Sequence, residues 1–176
     1  MKCLLANQGV FPAFILGRYW DILAWNRSAS LLFGGLEHIA REERNHIWQM
    51  FANPAVRCSL VDWENHARRM IAEFRVSYGY FMEDAQFVTL IERLCAVSNL
   101  FREWWSRQDV VGRANVYKDF NHPTAGLLRF EQTTLLVSEQ PDLRLVVKIP
   151  LPDTDTEGAL QKLLEAEPLS AQTEHL

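Results

Sequence analysis

Apolar residues keep a helical period through the middle of this chain and a period of two towards its end, with the change after Asp109. In "SLVDWENHARRMIAEFR", Leu60, Trp63, Ala67, Met70, Ile71 and Phe74 share one helical face, with Ser59 as the expected cap. In "DAQFVTLIERLCAVSNLFREWWSR", Phe87, Leu90, Ile91, Leu94, Val97, Phe101 and Trp104 recur at the same spacing, which predicts one long helix capped by Asp84. "ANVYKDF", "GLLRFEQTTLLV" and "LRLVVKIP" then read as three strands, and Leu143, Leu145, Val147 and Ile149 alternate on one face of the last. The Pro141–Asp142 pair in "SEQPDL" supplies the turn before it.

Two further strands precede the helical region. "PAFILGR" and "DILAW" read as a hairpin, followed by a helix that Asn26 caps and Gly34–Gly35 stops. "REERNHIWQMFANP" is a third helical segment, ended by Pro54, and "DTDTEGALQKLLEA" a closing helix. The order is two strands, a helical middle and three strands. It predicts an α+β fold with a five-stranded antiparallel sheet and helices packed on one face. Residues 1–164 form one domain in this reading, and 165–176 a disordered tail.

The chemistry of the residues excludes several classes. With 18 Lys and Arg against 22 Asp and Glu, the net charge is −4, and no dense basic run offers phosphates a face. Arg68 and Arg69 in "HARRM" come nearest and sit among acidic neighbours, so this segment is not expected to bind nucleic acid. Cys3, Cys58 and Cys95 are too scattered for a disulfide framework or a structural zinc site, which suits the cytoplasm. The start carries no signal-peptide core, and no apolar run approaches the roughly 18 residues that span a bilayer. GxSxG, GxxxxGK[ST], GxGxxG and HExxH are all absent, and the five histidines lack ligand spacing. No enzyme, metal or cofactor is expected; a binding domain is.

Four segments, taken in order, carry a resemblance. "FPAFILGRYWDILAWNRSASLLFG", "NHIWQMFANPAVRCSLVDWENHARRMIAEFR", "FVTLIERLCAVSNLFREWWSRQDV" and "KDFNHPTAGLLRFEQTTLLV…PDLRLVVKIPLP" resemble the blocks of the MmyB-like transcription regulator ligand-binding domain, from about Leu4 to about Leu164. The resemblance implies a PAS-like fold whose cavity takes a fatty acid or a similar lipophilic molecule. It also implies the C-terminal sensor half of a bacterial Xre-type regulator, whose usual DNA-binding half is a helix-turn-helix. The matched blocks begin almost at Met1, so contact with DNA is expected only through a segment outside this chain. A homodimer is the assembly such a regulator would use.

An acyl chain can hydrogen-bond only through its head group, so affinity has to come from buried methylenes at about 0.8 kcal/mol each. Six Trp and ten Phe supply wall material. Trp25, Trp63, Phe74, Phe101 and Trp104 are the candidate wall residues, though for each of them core packing is the plainer role. Arg75, at the end of its helix's apolar stripe, is the candidate anchor for a carboxylate, set against a surface or salt-bridged arginine. His122 in "NHP" is a candidate donor to the head group, set against turn capping, and Asn26 a candidate contact, set against helix capping. Tyr117 is a further polar candidate, with Arg57. Trp20 and Trp105 are expected at the edge. The competing function is a protein-interaction or dimerisation module whose rings fill their own core.

Overall fold

The structure is a computed structural model, and it describes residues 2–82, 84–107 and 117–166. Helix α1 (Lys2–Ala6) leads into the expected hairpin of β1 (Ala13–Leu16) and β2 (Ile22–Trp25), paired antiparallel with Phe14 opposite Trp25. Asn26 fixes the exit of the hairpin. Its side chain accepts from the amides of Ala29 and Ala13, both at 3.0 Å, and donates to the Phe11 carbonyl at 2.8 Å. It therefore caps α2 (Arg27–Leu32) and ties it to the strand before. Asn26→Ala should cost about 2 kcal/mol, since the cap goes and neighbouring backbone groups lose their partner. A thermal melt should show this as a fall of about 6 °C, and an unchanged midpoint would contradict the assignment.

Two 3-10 turns, Leu36–His38 and Arg41–Glu43, separate α2 from α3 (His46–Ala52). Pro54 does not simply end the helical run. It occupies the first turn of α4 (Pro54–Ser59), where its missing N–H costs nothing. Ser59 thus lies inside α4, and the cap position of α5 (Trp63–Gly79) is held by Asp62, with a left-handed φ of 56°. The single long helix expected next is two, α6 (Ala85–Val97) and α7 (Asn99–Ser106). Ser98 takes an extended conformation and accepts from the Phe101 amide at 3.2 Å, so one residue closes α6 and caps α7. Asp84 caps α6 as expected.

Strands β3 (Tyr117–His122), β4 (Gly126–Val137) and β5 (Gln140–Pro150) complete a five-stranded antiparallel sheet of order β2-β1-β5-β4-β3. This is the five-stranded antiparallel sheet of the α+β fold that the sequence predicts. Helix α8 (Thr156–Ala166) follows, running through residues 165 and 166. The rest of the expected tail and residues 114–116 of the first predicted C-terminal strand lie outside the described residues.

Helices α3 and α5 to α8 bury their apolar faces with Phe120, Leu128 and Phe130 of β3 and β4 in the main core. The opposite face of the sheet is covered only locally. There Leu5 of α1 and Phe11 pack on Ala13, Ile15, Leu145 and Val147. No helix among the described residues is long and apolar enough to cross a membrane.

Candidate functional site

Because β5 is the central strand and side chains alternate along it, its two faces meet different surroundings. Leu145 and Val147 face α1, whereas Arg144, Val146 and Lys148 point towards the long helices. Between that inner face and α3, α4 and α5 lies a cavity of about 360 Å³. Met50, Val56, Leu60 and Met70 give it an aliphatic helical wall, and Leu16, Ile22, Phe33, Leu36 and Val146 continue the apolar surface on the other side. Its size is near the lower end of the roughly 300–1,000 Å³ usual for small-molecule sites.

Trp20 joins the hairpin to this cavity. It is buried and lines the space, and its edge position expected from strand alternation is overturned. The cause is local: Trp20 sits in the loop after β1 with a left-handed φ of 68°, where strand parity does not apply. Asn45 holds that loop by donating to the Tyr19 carbonyl at 2.6 Å while capping α3. The indole packs edge-on to Phe74 at 5.5 Å, and the Arg144 guanidinium lies 4.7 Å from its ring centre.

The polar end of the cavity is cationic. Lys148 is 2% exposed and donates to Gln132 Oε1, directly across on β4, at 2.9 Å. Burial drives its amine well below the ordinary lysine range, and the positive charge of Lys118 pushes the same way. Lys118 Nζ lies 2.7 Å from Nδ1 of His66. The lysine donates, so the imidazole is neutral and carries its proton on Nε2. Burial pushes Lys118 down to about 8; Arg69 adds to that and Glu73 opposes it. Arg144 is depressed by burial too, again against Glu73. Among the described residues, Lys118, Arg144 and Lys148 form no ion pair, and Glu73, the only carboxylate lining the cavity, binds Arg69 Nε at 2.8 Å.

Two histidines border this cluster. His66 is buried and held near 4, by burial first and then by Lys118. His46 keeps some accessible surface and borders the cavity, packed between Phe14 and Trp20. Burial pushes it down to about 3, with Lys148, Lys118 and Arg144 contributing in that order. The His46 ring is therefore within reach of all three charges, and Lys118 also acts on Lys148. Among the described residues, no group of three His, Cys, Asp or Glu is arranged to hold a metal ion.

None of the ten wall and polar candidates singled out from sequence, Arg57 included, lines this cavity. Trp63, Phe101 and Trp104 do come together, but around Phe51 in a packed aromatic knot at 5.1–6.2 Å. Phe74 packs between Trp20 and Phe87. Trp25 lies under the Arg44 guanidinium, 4.8 Å from its centre. Arg75 donates to the carbonyls of Trp104 at 2.5 Å, Trp105 at 2.8 Å and Arg107, closing the C-terminal end of α7. His122 accepts from the Thr124 and Ala125 amides at Nδ1, and Nε2 donates to the Leu31 carbonyl at 3.2 Å, so it fastens the β3–β4 turn to α2. Asn26 is the cap described above. Tyr117 is half exposed at the start of edge strand β3.

Sequence reasoning missed Lys118, Arg144, Lys148, His66 and His46. One signal was available: "LRLVVKIP" carries two cations at the alternate positions of an otherwise apolar strand.

A model of one protein family, described as the MmyB-like transcription regulator ligand binding domain, matches residues 1–164. A comparison with curated proteins finds no match.

Proposed function

The chain belongs to the family of MmyB-like transcription regulator ligand-binding domains, and from that premise we propose that its cavity binds a fatty acid or similar lipophilic acid. The carrying observation is Lys148, a buried amine facing the cavity with a neutral amide as its hydrogen-bond partner. Burying a charge costs several kcal/mol unless an opposite charge accompanies it, and a ligand carboxylate is the partner the protein itself does not provide. The aliphatic wall suits the rest of such a molecule. About ten buried methylenes contribute roughly 8 kcal/mol before the cost of immobilisation. The open space between α5 and the sheet favours this reading over a module with a self-filled core.

In this reading the anchor is Lys148 with Lys118 and Arg144. The wall is Met50, Leu60, Met70 and Val146, with Trp20 at the hairpin end. The ligand regulates by binding one arrangement of sheet and helices better than another, since only such a difference shifts a population. A DNA-binding segment elsewhere in a cytoplasmic Xre-type regulator, as a homodimer, would read that shift.

Matched ten-carbon ligands test the proposal. Decanoate should raise the melting temperature and appear as a bound species in native mass spectra, while decylamine should do neither. Equal shifts from the acid and the amine, or none from either, would overturn the proposal.

A further inference from the structure

We infer that among lipophilic acids this cavity prefers a compact dianionic head group, such as a phosphate monoester or a paired carboxylate, over a single carboxylate. The inference rests on the proposed site and concerns the charge of its occupant. Arg69 and Glu73 face the cavity as a matched pair. Removing them leaves Lys118, Arg144 and Lys148, three cations with no carboxylate bound to any of them among the described residues. One carboxylate offsets one of these charges and leaves the other two without a bound counter-charge away from bulk water, where charge is poorly screened. A dianion offsets two.

The hydrogen-bond count points the same way. Lys148 gives one N–H to Gln132 and Lys118 one to His66, so each ammonium keeps two, and Arg144 adds a planar fork. A carboxylate presents two oxygens to these donors. A phosphate monoester presents three, with a charge of about −1.5 to −2 at pH 7. That the His46 ring feels all three cations agrees with a compact head in place of charges at opposite ends of a long molecule. The empty cluster holds its lysines below their ordinary range, so a bound dianion should draw protons onto them.

Calorimetric titration of the full chain with decanoate, decyl phosphate and decylmalonate tests this at pH 7. Expected is at least tenfold tighter binding of one or both dianions than of decanoate, with greater proton uptake, read from two buffers of different ionisation heat. In Lys118→Met decanoate should weaken and the dianions weaken more, so that the preference shrinks to threefold or less; Arg144→Gln, which keeps a polar group over Trp20, should act in the same direction. The two dianions separate a phosphoryl head from paired carboxylates. Decanoate binding as tightly as both dianions, or a preference untouched by either substitution, overturns the inference and leaves the fatty-acid reading standing. Failure of all three ligands to bind removes both.

Discussion

Replacing Lys148 with Met is expected to stabilise the empty domain while weakening its hold on a carboxylate ligand about a hundredfold. The two effects share one cause. In the empty protein Lys148 is a desolvated amine on which the like charge of Lys118 acts. Replacing buried ionic groups by apolar side chains of similar shape often stabilises by about 1–4 kcal/mol. Gln132 loses its partner in the exchange, which offsets about 1 kcal/mol of that. With ligand bound the same substitution strands a carboxylate, and truncating one partner of a buried charge pair costs roughly 2–5 kcal/mol. A value near 3 kcal/mol corresponds to about a hundredfold in affinity. Urea melts without ligand and calorimetric titration with decanoate measure the two quantities on one sample. A variant that is less stable and still binds decanoate normally would remove Lys148 from the site.

The second large effect is loss of stability in mild acid. His46 and His66 are held near 3 and 4 in the folded protein, and histidines in the unfolded chain titrate near 6.5. Below pH 6.5 the unfolded state binds protons that the folded state refuses, so stability falls as the pH falls and is fully lost to this cause only near pH 3. His46 alone should remove about 3 kcal/mol by pH 4. Urea midpoints at pH 7, 5.5 and 4 measure the slope. His66→Gln, whose amide oxygen can still accept from Lys118, should flatten part of it. A stability that stays level from pH 7 to pH 4 would contradict the neutral state of these rings. At the alkaline end Lys118 acts with the same sign: its folded value near 8 lies below 10.5, so stability rises with pH across that interval while affinity for an anion declines.

The elements were legible because each carries a local signal: Asn26 and Asp84 as caps, the stripes of α5 and α6, the period of two in β4 and β5. Three features were not, each for a definite reason. The break at Ser98 leaves the apolar spacing intact on both sides, since Leu94, Phe101 and Trp104 are all buried, so periodicity cannot register it. Ser59 and Asp62 are equally good capping types, and only tertiary contacts choose; the Val61 amide bonds the Asp119 carbonyl of β3, which places the turn. The site was hidden most deeply. Alternation sorts a strand into two faces without saying which one meets the helices. In β5 the uniformly apolar face looks inward by composition, yet it is the cationic face that looks onto the cavity. Trp63, Phe74, Phe101 and Trp104, candidates for pocket wall with core packing as the plainer role, take the core role: they pack ring on ring beside the space.

Helix α1 sits behind strands β1 and β5, and those strands are a single peptide layer thick. Val146 on the cavity side and Leu145 and Val147 on the other are consecutive links of the same ribbon. A guest that lifts Val146 by a fraction of an ångström must tilt the peptide planes on which Leu5 rests. The floor of the chamber is thus also the underside of the amino-terminal helix, and whatever swells below is felt above without any relay of intervening side chains.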